Sequence, residues 1–93
     1  MNNSFSKETS ERIKALINKD WGIGRIFNYL RKKKSHERTS NLGLLRSILY
    51  TFNKIGKLPS VKKINYHFRT KIPKDEYAGS KKWEILKDLH DPR

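Results

Sequence analysis

The chain holds no cysteine. That absence removes disulfide frameworks, zinc–cysteine fingers, iron–sulfur ligation and thiol nucleophiles together, and it suits a reducing compartment. Long apolar runs are missing too. No stretch approaches the ~20 residues of a membrane span, and the opening Met1-Asn2-Asn3-Ser4-Phe5-Ser6 lacks the apolar core of a secretory signal. The expectation is a protein with no membrane partner, cytoplasmic or associated with the nucleoid. Carboxylates are scarce: nine Asp and Glu face 22 Lys and Arg, giving a formal charge of +13 and a pI of about 10.2. Such an excess must meet a polyanion or be lost to self-repulsion. Apolar residues are thin as well, 34% of 93, with a mean hydropathy of −0.89. Leu, Ile, Val and Phe together make about a quarter of the chain, above the roughly 20% below which a charged chain stays disordered. One small domain over residues 1–93 is what this length supports.

The charge is not spread evenly. Up to residue 24, Lys7, Arg12, Lys14 and Lys19 nearly balance Glu8, Glu11 and Asp20. From residue 75 on, Lys81, Lys82, Lys87 and Arg93 are outnumbered by Asp75, Glu76, Glu84, Asp88 and Asp91. The whole +13 therefore belongs to residues 25–74, where Glu37 is the one acid. A basic block between balanced ends favours a localised binding surface over general solubility charge.

Periodicity predicts an all-α protein, a small bundle of four or five helices. Ser6 can cap a first helix over about 7–19, with Glu8 in its first turn and Thr9, Ile13, Leu16 and Ile17 on one face. Asp20-Trp21-Gly22 breaks it. A second helix then places Ile23, Ile26, Phe27 and Leu30 inward and Arg25, Arg31 and Lys32 outward, ending in the cations Arg31 to Lys34, which suit the negative end of its dipole. Residues 35–40 read as a polar connector. The longest apolar stripe, Leu42, Leu45, Leu49 and Phe52 widened by Leu44, Ile48 and Ile55, predicts a core helix stopped by Gly56-Lys57-Leu58-Pro59.

After Pro59 two readings compete. Ser60 could cap a short helix carrying Val61, Ile64 and Phe68 inward. Residues 64–72 also alternate as a strand or hairpin would, with Ile64, Tyr66, Phe68, Thr70 and Ile72 on one side. No other segment alternates to pair with it, which favours the helix, and either form leaves Arg69 and Lys71 facing solvent. Ser80 can cap a last helix at about 80–91 around Trp83, Ile85, Leu86 and Leu89, more apolar surface than a lone helix should show. It is expected to pack on the body, or to pair with a second copy or another protein.

The basic block carries the functional reading. Arg25, Arg31, Lys32, Lys33, Lys34, Arg38, Arg46, Lys54, Lys57, Lys62, Lys63, Arg69 and Lys71 are the expected nucleic-acid contacts, since phosphate neutralisation needs clustered cations. Phe27, Tyr29, Tyr50, Phe52, Tyr66 and Phe68 are interleaved with them and could in principle stack on bases. The helical spacing of the three phenylalanines assigns them to the core instead, with Tyr29 standing apart from the apolar stripe. Phosphate contact, not stacking, is the expectation, with DNA ahead of RNA.

Two resemblances point the same way. Residues 12–30 resemble the first two helices of a helix-turn-helix, although residues 31–40 offer no apolar anchors for a reading helix. The run Ile26-Phe27-Asn28-Tyr29-Leu30, Ser35, Arg38-Thr39-Ser40-Asn41-Leu42, Leu45-Arg46-Ser47-Ile48-Leu49 and Gly56-Lys57-Leu58-Pro59, within residues 23–59, resembles the SAM-like core-binding domain of tyrosine recombinases and phage integrases. That resemblance implies a helical domain clamping duplex DNA by its phosphates, with Lys32 to Lys34, Arg38 and Arg46 nearest the backbone. The family's catalytic domain does not fit in this length, so it implies a detached DNA-binding module, a truncation or an accessory protein, of a phage or mobile element.

Other classes carry less. His36-Glu37 could serve a basic endoribonuclease toxin, with imidazole as base and Lys or Arg stabilising a phosphorane, but a solvated histidine explains it as well, and so does His67 beside Arg69. Glu84, Asp88 and Asp91 form an acidic helix face that could hold Mg²⁺ and is more simply solvated. No enzyme, metal or cofactor is expected. An RNA- or ribosome-binding factor, and a phage- or plasmid-type inhibitor docking on an acidic protein surface, remain as rivals.

Overall fold

In the computed structural model, which describes residues 7–33 and 40–76, the chain forms four α-helices and a short 3-10 turn, with no strand among the described residues. They are α1 (Lys7–Asn18), α2 (Ile23–Lys32), α3 (Asn41–Ile55) and α4 (Val61–Lys71), with the 3-10 turn at Lys74–Glu76. The protein is a small all-α bundle. Helix α3 is its centre, packing against both α1 and α2.

Local sequence sets each boundary. Helix α1 ends where Asp20 takes a left-handed φ of 66°. The Trp21 N–H then donates to the Leu16 carbonyl at 3.1 Å and the Asp20 N–H to that of Ile17 at 2.9 Å. These are the paired bonds of a Schellman stop, which glycine usually makes and aspartate tolerates. Gly56 makes the same stop for α3 at φ 88°, the Lys57 N–H reaching the Phe52 carbonyl at 2.9 Å and its own N–H that of Asn53 at 3.0 Å. The Ser40 hydroxyl caps α3 by accepting from the Gly43 N–H at 3.0 Å, and Ser60 caps α4 by accepting from the Lys63 N–H at 3.3 Å. The sequence marks Ser60 as a cap, whereas Ser40 falls at the end of the polar connector because no apolar residue flags the start of α3 until Leu42.

The core is one cluster drawn from all four helices, and Ile13, Ile26, Leu45, Ile48, Leu49, Ile64 and Phe68 at its centre lose all solvent contact. Truncating such a side chain as Phe68 to alanine costs about 3–5 kcal/mol, a large share of what a domain this small can hold. After α4 the chain returns to the start of α3. There the Glu76 carboxylate accepts from the Leu42 N–H at 3.2 Å and from the Asn41 amide at 3.5 Å. A carboxylate on free N–H groups at a helix N-terminus is favourable in both hydrogen bonding and dipole. It ties the end of the described chain to the central helix.

The favoured helix after Pro59 is present, and two other expectations change. Residues 64–71 are helix and not strand: Ile64, Phe68 and Ile72 recur every four residues and are buried, while Tyr66 and Thr70, which the strand would have buried with them, are exposed. Val61 does not point inward. At 42% exposed it lies in the first turn of α4, one turn before the first core side chain, Ile64. Lys71 is half-buried where its Cε comes beside Gly24 of α2, although the bond from its ammonium to Asn28 stays exposed. The expected cap Ser6, the connector from Ser35 to Thr39 and the last helix at 80–91, with Trp83, Ile85, Leu86 and Leu89, lie outside the described residues.

Candidate nucleic-acid interface

Within residues 23–33 and 40–74 there is no carboxylate side chain at all. Three consecutive helices thus carry Arg25, Arg31, Lys32, Arg46, Lys54, Lys62, Lys63, Arg69 and Lys71, with Lys33, Lys57 and Lys74 just beyond their ends, and hold no anion of their own. All of these cations except Lys71 are exposed. Helix ends explain part of the pattern, since Arg31, Lys32, Lys54, Arg69 and Lys71 sit in last turns, where the dipole welcomes a cation.

Lys62 and Lys63 have no such explanation. They are the second and third residues of α4, directly behind its Ser60 cap, where the dipole disfavours positive charge. A pair of lysines placed against helix electrostatics, with no carboxylate in the helix to pair with, is a local conflict of the kind that functional sites carry.

In place of carboxylates, several cations lie over rings. The Arg25 guanidinium sits 3.9 Å from the Trp21 ring centre, Lys33 5.5 Å from that of Tyr29, Arg46 5.4 Å from Tyr50 and Arg69 6.0 Å from Tyr66. Trp21 meets Tyr29 edge-on at 5.4 Å, so Arg25, Trp21, Tyr29 and Lys33 form one run along the α1 side of α2. There Lys33, by hydrogen bond and then by charge, holds the Tyr29 phenol below its ordinary pKa, and Arg12 of α1 adds to the effect. Cation–π contact orients a guanidinium without neutralising it, so these charges keep their attraction for an anion.

The other side of α2 faces α4. Asn28 accepts from the Lys71 ammonium at 3.1 Å. Gly24 lets the helices close up, since a Cβ there would stand 3.1 Å from His67 Cε1 and 3.9 Å from Lys71 Cε. Lys63, His67 and Lys71, four residues apart, share one side of α4. Burial pushes the His67 imidazole below its ordinary pKa, and the charges of Lys71 and Lys63 push the same way. Its Nδ1 is one of two buried side-chain atoms with no hydrogen-bond partner among the described residues, the other being Asn65 Oδ1.

The expected contacts therefore fall into groups. Arg25 and Lys33 lie on the α1 side of α2. Lys71 lies at the seam with α2, with Lys63 two turns before it on the same side of α4, while Lys62 and Arg69 are on exposed positions of α4. Arg46 and Lys54 are on exposed positions of α3, with Lys57 after its end; Arg31 and Lys32 close α2. Lys34, Arg38 and His36 lie outside the described residues, as do Glu84, Asp88 and Asp91. Two sequence readings are corrected. Tyr29 is not apart from the core but half-buried against Trp21, and among the described residues the exposed aromatic is Tyr66, at 52%. His67 is not a surface neighbour of Arg69: Arg69 lies over Tyr66, and His67 faces α2. Asn28 and Gly24 were missed as site residues. The four-residue spacing of 63, 67 and 71 was visible, but not the helix it packs against. Among the described residues no group of three His, Asp or Glu side chains could hold a metal ion, and no helix is long and apolar enough to cross a membrane.

No protein-family model, curated protein or solved structure matches this chain.

Proposed function

We propose that this chain is a small helical module that binds nucleic acid, DNA ahead of RNA, through phosphate contacts from the cations of α2, α3 and α4. The observation that carries the reading is the complete absence of carboxylates from these three helices, joined to the placement of Lys62 and Lys63 against the dipole of α4. Uncompensated exposed cations raise the free energy of the isolated fold and lower it when phosphates replace condensed counterions. The resemblance of residues 23–59 to the recombinase core-binding domain supports the same partner, as a module without the catalytic chemistry. Base reading is not part of the proposal, because phosphate contacts position a protein without specifying sequence.

The test is competition, at one fixed salt concentration, between a DNA duplex, an RNA hairpin and single strands for the purified chain. Preference for the duplex supports the proposal. Preference for the hairpin moves the function to RNA or the ribosome, and cleavage of the hairpin that is lost in His36→Ala or His67→Ala would make the protein a ribonuclease. Retention of a protein partner after nuclease digestion, without nucleic-acid affinity, would instead favour an inhibitor docking on an acidic surface.

A further inference from the structure

We infer that the seam between α2 and α4 is a proton-linked phosphate site, in which Lys63, His67 and Lys71 together hold one phosphodiester group and the imidazole takes up a proton from solvent as that group docks. The inference rests on the nucleic-acid reading above and adds to it a particular site and a dependence on pH. Three basic side chains on one side of α4 are drawn together by their four-residue spacing. Gly24 opposite them removes the side chain that would fill the seam, and Asn28 holds Lys71 in place at 3.1 Å.

The competing account is a histidine that merely packs between helices. A packing histidine normally satisfies both ring nitrogens, whereas Nδ1 here is buried with no partner among the described residues. An apolar side chain of similar size would fill the place without that cost. The arrangement suits a ring held neutral in the free protein. The charged groups acting on the ring are Lys63 and Lys71, and the other ionisable neighbour on its helix is the Tyr66 phenol, whose ring lies edge-on at 5.3 Å. Helix α2 presents Gly24 and Asn28 there, and neither ionises. A phosphodiester between the two ammonium groups reverses the sign of the local field, so protonation that the free site opposes becomes favourable in the complex.

The consequence is measurable as affinity. A rise of half to one pKa unit at His67 on binding strengthens the complex by at most about three- to tenfold, a limit approached as pH falls from about 8 to below the free-state value. Because the chain holds two further histidines, His36 and His90, the informative quantity is the difference between the natural chain and His67→Gln. A short DNA duplex is titrated into each by anisotropy across that range, and by calorimetry in two buffers of different ionisation enthalpy to count protons. The expected result is proton uptake and a pH-dependent affinity that both shrink in His67→Gln. A second measurement needs no variant: the His67 ring resonances of the natural chain, followed by NMR against pH, should titrate higher in the complex than in the free protein. Equal pH slopes in the two chains, or an unchanged His67 titration on binding, would overturn the site while leaving nucleic-acid binding intact. Failure of the duplex to bind at all would overturn the parent reading, and the site with it.

Discussion

Replacing Lys62 and Lys63 together by glutamine separates a functional surface from a merely solvated one, because stability and binding should move in opposite directions. Both residues occupy the first turn of α4 behind the Ser60 cap, both are exposed, and the helix contains no acid. Removing a cation from a first turn returns about 0.3–0.5 kcal/mol, the lower part of the dipole range, because solvent screens these groups. The pair should therefore stabilise the fold by about 0.6–1 kcal/mol, a rise of about 3–8 °C in Tm for a domain of this size. If each lysine neutralises one phosphate, each is worth about fivefold in affinity at ~0.15 M salt. The double variant should then bind about thirtyfold more weakly, with a salt slope about 1.8 shallower. Thermal melts at low salt and an anisotropy titration at several salt concentrations read both quantities. A variant that melts higher but binds with unchanged affinity and slope would refute the reasoning by making the lysines solvated bystanders. One that melts lower would refute the electrostatic account of α4.

Other consequences follow from single contacts. Asp20→Gly relieves a left-handed residue in the α1 stop and should stabilise by about 0.5–1 kcal/mol, read as a higher denaturation midpoint with unchanged slope; a loss of stability would mean that the aspartate side chain contributes more than its backbone strain costs. Glu76→Gln removes the charge from the α3 N-terminus and should cost about 0.5–1 kcal/mol without weakening nucleic-acid affinity, a result checked by chemical denaturation. His67, with its pKa lowered in the folded chain, leaves the unfolded chain to take the proton first. Its contribution is full above about pH 6.5 and is lost as pH falls from there through the folded value. Between about pH 7.5 and 5, Tm should therefore drop more in the natural chain than in His67→Gln; equal drops would contradict the burial of the ring.

Sequence periodicity was enough wherever burial is one-sided and local. In α2, Ile23, Ile26, Phe27 and Leu30 are buried as spaced, and the Gly56 and Ser60 boundaries follow from backbone chemistry that those residues perform without help from the fold. Residues 64–72 were ambiguous because Ile64, Phe68 and Ile72 satisfy a two-residue and a four-residue period at once. Tertiary contact resolves them, since the core accepts that row and leaves Tyr66 outside. The basic block was legible as composition, but its arrangement was not. The contact of Lys71 with Asn28 spans 43 residues, and the approach of His67 to Gly24 joins two helices by way of the helix between them in sequence. The cap from Glu76 to Leu42 is equally non-local, and no spacing rule announces it.

Salt dependence of binding tests the phosphate contacts most directly. With about six phosphates neutralised by the cations of α2, α3 and α4, log Kobs for a DNA duplex should fall linearly with log salt at a slope near −5. An affinity that stays flat from low to high salt would mean that the exposed cations are not what holds the polymer, and would contradict the proposal.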